Sequence, residues 1–462
     1  MDNKALSRRR FIAALAAGAA APILAPGVAL AEADAARTRG MAFGRDFGLF
    51  PYFGEEGVEE TDQSTLFQAA VDQASSMGVP LLLASGLYFA QNVVLPHTIT
   101  ITGLSGGVAI NAAGEGPIFL ADGASGIALE NLGFRGKPQA APNAETALLA
   151  FSGCERLRLD GLRLGTGPGN GIALENCSGR LISLDIAGFE AAAIFARNSH
   201  GLIIRDCRVA RCGNGGILVW GEDERLDGTI VSGNHIGDIA ARAGGNGQNG
   251  NGINLFKANG AVVSDNVIQN CAFTAIRLNA TNDTQVSGNI CLNSGEVAIF
   301  SEFAFSGSII ANNIVDGAAQ GISITNFNEG GRLAICAGNI VRNIAPSSLV
   351  NPDTVPVGIS AEADTVISGN VVEAVPGLGI GAGWGPYLRD VVVSGNVVRD
   401  VEIGIGVSVA EGAGKALVSA NLVSEARRAA IAGLAWSDMV SDDLVRDAAR
   451  FPNVTVSGNS LS

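Results

Sequence analysis

The sequence predicts an all-β chain folded as a right-handed parallel β-helix, a solenoid of roughly a dozen coils. A Ser-Gly-Asn-like tripeptide returns nine times in the 462 residues, and its asparagines are separated by 32, 23, 24, 26, 31, 26, 25 and 38 positions. Short β-branched runs flank each copy, and a small residue followed by isoleucine comes about eight or nine positions after most of the asparagines. The nine asparagines are Asn234, Asn266, Asn289, Asn313, Asn339, Asn370, Asn396, Asn421 and Asn459.

Each period therefore holds two or three short strands between turn residues, without a helical pattern. Weaker copies at Leu129–Asn131, Leu159–Gly161, Leu184–Ile186 and Ile204–Asp206 extend the repeat upstream. At the ~4.8 Å spacing of neighbouring strands, the coils form a rod on the order of 55–60 Å long. A leucine-rich repeat has a similar period, but its consensus pattern of leucines and asparagines is absent from the sequence. We expect residues 106–436 to form these coils.

A helix is predicted at the start of the solenoid, where it would cover the open strand edges. Thr61–Ser64 supplies capping residues, and apolar residues then recur at helical spacing from Leu66 to Met77 until Gly78. We assign the capping helix and the first coil to residues 61–105.

A second helix is predicted near the other end. Between Ser437 and Arg450 the repeat is interrupted by apolar residues at helical spacing, and this insertion explains the long last interval. A final strand follows at Val454–Val456. We assign residues 437–462 to the inserted helix and the last coil.

The N-terminus has the pattern of an export signal. Ser7–Ile12 contains a twin-arginine sequence, an apolar stretch follows, and Ala29–Ala31 fits a cleavage site. The alternative is an uncleaved anchor, since the apolar stretch is long enough to cross a bilayer, but its prolines make a poor helix. We predict a signal peptide over 1–31, an extension over 32–60, and a periplasmic or secreted protein without stable membrane insertion. The export machinery is then a partner of the precursor.

Composition excludes several classes of function. The formal charge is −14, and loss of four basic residues and one acidic residue with the signal lowers it to −17, which disfavours nucleic acid as a partner. There is no phosphate-binding glycine motif. The seven cysteines include Cys154 and Cys177 one period apart, and we interpret them as small core residues rather than disulfides or zinc ligands.

The segment before the repeats resembles the corresponding segment of a known superfamily. Thr61–Asp72, followed by Leu81–Tyr88 and Val94–Pro96, is similar to the N-terminal cap of pectate-lyase-like right-handed β-helix proteins, although Ala84 replaces the usual proline. The twin-arginine signal joined to the repeats resembles, more specifically, the twin-arginine-translocated repeat protein family, whose function is uncharacterised. The wider superfamily implies binding, cleavage or epimerisation of acidic polysaccharides.

The catalytic signatures of that superfamily do not carry over. Of the polygalacturonase motifs, the sequence offers only Ser199–Gly201, and we interpret His200 as a turn residue. The mannuronan epimerase signature is absent. Calcium would relieve repulsion between an acidic protein and an acidic glycan, but no calcium-ligand motif supports it, so we predict no cofactor.

Candidate site residues follow from the repeat geometry. If the isoleucine of each small-Ile strand points inward, the residues one and three places later point outward and form two columns on one face. We predict catalytic roles for Arg277, Glu302 and Glu362. The predicted substrate-binding residues are Trp220, Asn254, Phe256, Asn279, Asn326, Phe327 and Trp384.

Several chemistries remain open for this face. Glu302 and Glu362 are two coils apart, roughly 9–10 Å, which suits an inverting glycosidase. Arg277 and Glu302 could instead serve a lyase or epimerase, and the alternative is a surface salt bridge between adjacent coils. Insertions at 241–252 and 343–357 could wall a groove.

Two hypotheses of function follow. In the first, a monomeric exported solenoid binds, and as a lyase, hydrolase or epimerase modifies, an acidic envelope or extracellular polysaccharide. In the second, it is a non-catalytic structural or adhesive repeat protein of the cell envelope.

Overall fold

The chain winds as a right-handed parallel β-solenoid of about 13 turns, as predicted. A computed structural model describes residues 40–52, 61–104, 107–137, 146–245, 247–325 and 330–462. The predicted signal peptide and most of the predicted extension lie outside these ranges. One apolar core runs along the axis of the solenoid and is built from inward-pointing residues of every coil.

Each coil contributes one strand to a 16-stranded sheet, sheet A, whose strands all pair in parallel in the described residues. Its strands are Ala42–Phe43, Leu81–Leu83, Ile99–Gly103, Ile127–Glu130, Leu157–Asp160, Gly179–Ile182, Ile203–Arg205, Ile230–Ser232, Val262–Ser264, Asn282–Ser287, Ser306–Ala311, Arg332–Ala337, Thr365–Ser368, Val391–Ser394, Ala416–Ser419 and Val454–Ser457.

A 25-stranded sheet forms the rest of the wall. It contains two parallel ladders, which we call ladder B and ladder C in the order in which a coil passes through them after sheet A. Ladder B holds Gly86–Ala90, Val108–Ala112, Leu132–Arg135, Arg163–Gly167, Asp185–Phe189, Arg208–Ala210, His235–Ile239, Val267–Cys271, Ile340–Ile344 and Ser460–Leu461. Ladder C holds Val93–Val94, Phe119–Asp122, Ala147–Ser152, Asn170–Glu175, Ala192–Arg197, Gly215–Leu226, Asn251–Asn259, Ile276–Asn279 and Val357–Ala361. The long strands Ile290–Glu302, Ile314–Thr325, Val371–Ala382, Val397–Ser408 and Leu422–Ala435 run through both ladders.

The turn from sheet A into ladder B explains the Ser-Gly-Asn repeat. The middle residue of the tripeptide is left-handed whether it is glycine, as at Gly233 with φ 66°, or not, as at Asp265 with φ 57°. The following asparagine points inward and bonds to the next coil. Asn266 donates its backbone N–H and its Nδ2 to Asn289 Oδ1, at 3.0 and 2.9 Å, and Nδ2 also donates to the Val231 carbonyl at 3.0 Å. The asparagines of successive coils therefore stack and are linked by amide hydrogen bonds.

The same inward position, which we call the turn column, is apolar in earlier coils. Strand register aligns Leu132, Leu162, Leu184 and Cys207 with Asn234, and we call these four residues the leucine section. The nine asparagines form the asparagine section. The upstream copy predicted at Leu184–Ile186 is thus shifted, because the equivalent turn is Ile182–Leu184, with Ser183 left-handed at φ 55°.

The predicted capping helix is confirmed as α1, Ser64–Met77, which ends at left-handed Gly78. Its buried Phe67 packs edge-to-face on Tyr88 and Phe119, with ring centroids 5.6 and 5.8 Å away. Polar side chains of α1 and the residue before it also bond to the first strands of both ladders. Gln63 Oε1, Ser64 Oγ and Gln68 Oε1 accept the backbone N–H groups of Phe89, Gln91 and Val94.

The prediction of a helix between Ser437 and Arg450 is wrong, because no α-helix forms in this segment. Residues Asp438–Ser441 instead form an antiparallel strand against the end of Leu422–Ala435, and Ala448–Arg450 forms a short 3-10 turn, as do Gly44–Phe47 and Gly385–Tyr387 elsewhere. The open edge of the preceding strand offers backbone partners that override the weak helical stripe, of which Val440 and Val445 are exposed. Within the described ranges, no helix combines the length and apolar character needed to span a bilayer.

Candidate functional site

The two predicted columns exist on the outward side of ladder C, which we call face C. Register pairs Asn254 with Arg277, Arg277 with Phe300, and Phe300 with Ser323. In the second column Trp220 pairs with Phe256, Phe256 with Asn279, and Asn279 with Glu302. Glu362 begins the corner two coils after Glu302, and its backbone N–H donates to Ile324. Predicted residues Asn326 and Phe327 lie outside the described residues.

Arg277 and Glu302 form a two-pronged ion pair between adjacent coils. Arg277 Nε donates to Glu302 Oε1 at 2.5 Å, and Nη2 donates to Oε2 at 2.9 Å. Asn279 Nδ2 donates to Glu302 Oε1 at 2.8 Å. The side chains of Arg277 and Glu302 are only 10 % and 3 % exposed. The salt bridge between adjacent coils therefore exists, but it is buried and does not lie on the surface. Bidentate geometry of this kind fixes the guanidinium in one orientation.

Glu296 completes the cluster and was not predicted. It precedes the strand segment of Glu302 at the corner between ladders B and C, and its Oε2 lies 3.4 Å from Arg277 Nη1. Thr274 Oγ1 donates to Oε2 at 3.2 Å, and Asn351 Nδ2 donates to Oε1 at 2.8 Å. An acidic residue two positions before the small-Ile pair Ala298–Ile299 was the available signal. The cluster holds two carboxylates and one guanidinium, and every one of these groups has a hydrogen-bond partner.

Both predicted insertions are fastened to this cluster. In the first insertion, the Gly247 carbonyl accepts a 3.0 Å hydrogen bond from Arg277 Nη1, and a Cβ at that position would overlap the guanidinium. In the second, Ser348 Oγ donates to the Gly295 carbonyl at 2.6 Å, beside the Asn351 contact with Glu296. Two surface loops far apart in sequence are therefore bonded to the same buried cluster, the first at Arg277 and the second at Glu296.

These contacts decide what the cluster can do chemically. A proton accepted by Glu302 would replace the two-pronged ion pair of the buried Arg277 by the longer 3.4 Å contact with Glu296, and breaking a buried ion pair is strongly destabilising. The arrangement therefore suits positioning and rigidity better than proton transfer. In the described part of the chain, no group of three or more His, Cys, Asp or Glu side chains converges as metal ligands would. The seven cysteines, all within that part, are buried and unbridged.

Aromatic rings follow face C along the axis. Trp220 packs edge-to-face on Phe195 with centroids 5.1 Å apart, and Phe256 lies under the Lys257 ammonium at 5.5 Å. Arg277 covers the ring of Phe300 at 5.1 Å. Trp384, 38 % exposed, follows the strand segment three coils after Glu302. Partly exposed rings thus alternate with amide and charged side chains.

A groove that the sequence did not reveal lies along the corner between ladders B and C. It has a volume of about 580 Å³ and is lined by left-handed corner residues, including Asp238, Asn270 and Asn293. Asn270 Nδ2 donates to Asp238 Oδ1 at 2.9 Å, and Asn293 Nδ2 to Asn270 Oδ1 at 3.3 Å. None of the predicted site residues lines this groove.

Comparison with family models supports the coil architecture. Residues 170–343 match the model described as the right handed beta helix region. The chain is a right-handed β-helix. No curated protein matches it significantly. Membership of the twin-arginine-translocated repeat family stays a prediction.

Solved structures similar to this β-helix share low identity with it. The A-module of a mannuronan C-5 epimerase from Azotobacter vinelandii is 17 % identical, with 91 % of this chain and 99 % of that chain covered and a TM-score of 0.41. A mannuronic acid specific family 6 polysaccharide lyase from human gut microbiota is 13 % identical, with 82 % and 85 % covered and a TM-score of 0.45. The Dettilon tailspike protein is 14 % identical, with 84 % and 69 % covered and a TM-score of 0.43. At these TM-scores the likeness carries no argument about function.

Proposed function

We propose that this β-helix binds an extended polysaccharide along face C, outside the cytoplasm, after export by the twin-arginine route. One observation carries the proposal: the partly exposed rings of Phe195, Trp220 and Phe256 lie in three successive coils of one face, and Asn279 follows in the next coil. Trp384 lies five coils beyond Phe256 on the same face. Sugar rings stack on aromatic side chains and hydrogen-bond to amides. The rise of ~4.8 Å per coil lets one chain of sugars follow the axis.

The bound polymer is acidic in this proposal. Lys257 Nζ donates to the Glu222 main-chain carbonyl at 3.2 Å and lies over the Phe256 ring. Its positive charge is therefore presented beside a stacking residue, where a uronate carboxylate would meet it. Because the whole chain is strongly acidic, this local cation should decide between acidic and neutral polymers.

Binding without turnover is favoured over catalysis, because the carboxylate of Glu302 is committed to Arg277 and Asn279. Catalytic modification is the second candidate, since Arg277 and Glu302 lie on adjacent coils and Glu362 lies two coils after Glu302, on the order of 10 Å along the axis. As a lyase, hydrolase or epimerase, the protein would need Arg277 to exchange Glu302 for the substrate.

Affinity electrophoresis of the purified chain through gels containing alginate, polygalacturonate or neutral dextran tests the proposal. We expect retardation by a uronate polymer, which Phe256→Ala weakens about tenfold. Phe50→Ala is the matched control, because Phe50 is a 59 % exposed aromatic residue near the N-terminal cap. Equal behaviour of the two variants, or no retardation by any polymer, would contradict binding on face C.

Two further measurements separate the parts of the proposal. Incubation with the same polymers should give no unsaturated products, new reducing ends or altered epimer ratio; a product that disappears in Glu302→Gln while the thermal melt is unchanged would establish catalysis instead. N-terminal sequencing of exported protein should begin at Glu32, and replacing Arg8 and Arg9 by lysine should abolish export.

A further inference from the structure

Two of the three tryptophans of the chain meet at one end of face C. The rings of Trp384 and Trp436 are nearly perpendicular, at 81°, with centroids 5.6 Å apart. Tyr387 packs against Trp436 in the same way, at 82° and 6.1 Å. Trp384 and Trp436 remain 38 % and 45 % exposed. The two indoles form an open corner, held in place by the tyrosine.

Trp436 is held in this corner by a backbone conformation that is unfavourable for a bulky residue. Trp436 is left-handed, with φ 59°, in the tight turn between Leu422–Ala435 and Asp438–Ser441. A bulky side chain is sterically disfavoured in this region, and glycine or asparagine would form the turn more easily. On the other side, a Cβ on Gly385 would lie 2.6 Å from the Trp436 ring, so the contact requires glycine there. Two unusual positions thus converge on one exposed ring.

The surroundings suit a small ligand better than a protein. Ser437, Asp438 and Glu411, at the tip of the hairpin and on the adjacent turn, are exposed polar residues. The side chain of Ser408 donates to the Gly385 carbonyl at 2.7 Å and fixes the segment that carries Trp384. An apolar corner with a polar rim matches a pyranose ring, which presents C–H groups on its faces and hydroxyl groups around its edge.

The corner formed by Trp384 and Trp436 lies at the C-terminal end of face C. Trp384 lies three coils beyond Glu302, roughly 14 Å along the axis. Trp436 belongs to the hairpin at which the parallel pairing of ladder C ends. We propose that Trp384, Tyr387 and Trp436 form a pyranose-binding subsite that holds one end of the polysaccharide. This inference rests on the proposed function and assigns a terminal subsite to it.

Tryptophan fluorescence tests the subsite directly. Tetragalacturonate, cellotetraose and mannotetraose serve as probes, with the full chain titrated by each. We expect at least one probe to shift and quench the emission, because Trp384 and Trp436 are the most exposed of the three tryptophans. Trp436→Gly should weaken binding of that probe about tenfold or more.

Trp436→Gly is also the variant most certain to fold, since glycine relieves the left-handed strain. We expect an unchanged or higher melting temperature together with lost binding, a combination that a merely structural tryptophan would not give. Val440→Ala is the matched control, because Val440 is a 41 % exposed apolar residue on the same hairpin. It should leave both probe binding and emission unchanged.

The outcomes separate this inference from the proposed function. If a polymer retards the chain in electrophoresis but no probe changes the emission, or Trp436→Gly binds normally, the subsite is overturned and polysaccharide binding stands. If Trp436→Gly changes the sedimentation coefficient and not the sugar affinity, the corner contacts a second copy and the inference is overturned. If neither polymers nor probes bind, both proposals fail.

Discussion

The turn column is filled by leucine in one half of the molecule and by asparagine in the other, although the backbone follows the same path. Leu162 and Leu184 follow left-handed Gly161 and Ser183, just as Asn234 follows left-handed Gly233. In the leucine section the inward side chain packs in the apolar core. In the asparagine section it bonds to the coils on either side. The turn therefore requires a positive φ, and it accepts either side chain.

The leucine section and the asparagine section differ in how strictly they fix the register between neighbouring coils. Apolar packing is non-directional, and it tolerates small shifts between coils. An amide that bonds to the next amide and to a carbonyl of the previous coil fixes the register at every step, because a buried unpaired amide is costly. We infer that the asparagine section pins its coils individually, whereas the leucine section relies on the strands beside it.

Replacing an asparagine in the middle of the asparagine section should lower the free energy of unfolding most. In Asn339→Leu, Asn313 N and Nδ2 lose their acceptor, both at 3.0 Å, and the Ile310 carbonyl loses its donor. Since each buried unpaired group costs about 1–3 kcal/mol, we expect the free energy of unfolding to fall by roughly 3–5 kcal/mol. Urea denaturation followed by circular dichroism measures this.

Asn459→Leu is the control for that experiment. Asn459 occupies the partly exposed end of the section, where its Oδ1 accepts from Asn421 and its Nδ2 donates to the Val418 carbonyl at 3.1 Å. Water can replace its contacts, so the loss should stay below about 1 kcal/mol. Equal losses at both positions would mean that the asparagines act by intrinsic turn preference and not as a connected ladder.

Placing an asparagine in the leucine section should have an intermediate effect. Leu162 is fully buried, and its neighbours in the turn column are leucines that cannot pair with an amide. We expect Leu162→Asn to lower the free energy of unfolding by roughly 2–4 kcal/mol. Adding Leu184→Asn gives the amide a partner, so the double variant should lose less than the sum of the single losses. A strictly additive cycle would show that two neighbouring asparagines are not enough to form a ladder.

Extending the ladder at its boundary should have the smallest effect. Cys207 N already donates to Asn234 Oδ1 at 3.0 Å, and its thiol points toward the Leu181 carbonyl as the next amide points toward Ile204. We therefore expect Cys207→Asn to change the free energy of unfolding by less than about 1 kcal/mol. A loss as large as that of Leu162→Asn would contradict the boundary at this coil.

The same variant has a distinctive pH dependence. Burial raises the pKa of Cys207 from 9.0 to about 12. The unfolded thiol ionises above pH 9 while the native thiol keeps its proton, so its contribution to stability is complete below pH 9 and is lost as the pH rises toward 12. Cys207→Asn removes this loss, and its stability should therefore decline less between these two pH values than that of the parent chain.

The fold was predictable where polar residues mark the buried turn. The periodic asparagines located every coil after Asn234, and the small-Ile strands gave the register of both columns on face C. In the leucine section nothing polar distinguishes the turn position from other inward positions, which is why the copy predicted at Leu184–Ile186 was placed two residues late. The hairpin ending at Ser441 was missed because pairing with the edge of the preceding strand, Leu422–Ala435, overrode a local helical pattern.

The site was predictable only in part, for a similar reason. The adjacency of Arg277 and Glu302 followed from the register of neighbouring coils. Glu296 lies at a corner, outside the columns, and its contact with Asn351 depends on the path of a long loop that no periodicity describes. Trp436 escaped notice because it directly precedes the segment predicted as a helix.

The bonds between the N-terminal helix and the first coil also bear on how that end of the molecule opens. Backbone amides of Phe89, Gln91 and Val94 are held by side chains of Gln63, Ser64 and Gln68, and not by another strand. These amides can exchange with solvent only when the 14-residue helix moves away. Fraying of the first coil is thereby coupled to detachment of the helix, and the two behave as one cooperative unit in hydrogen exchange.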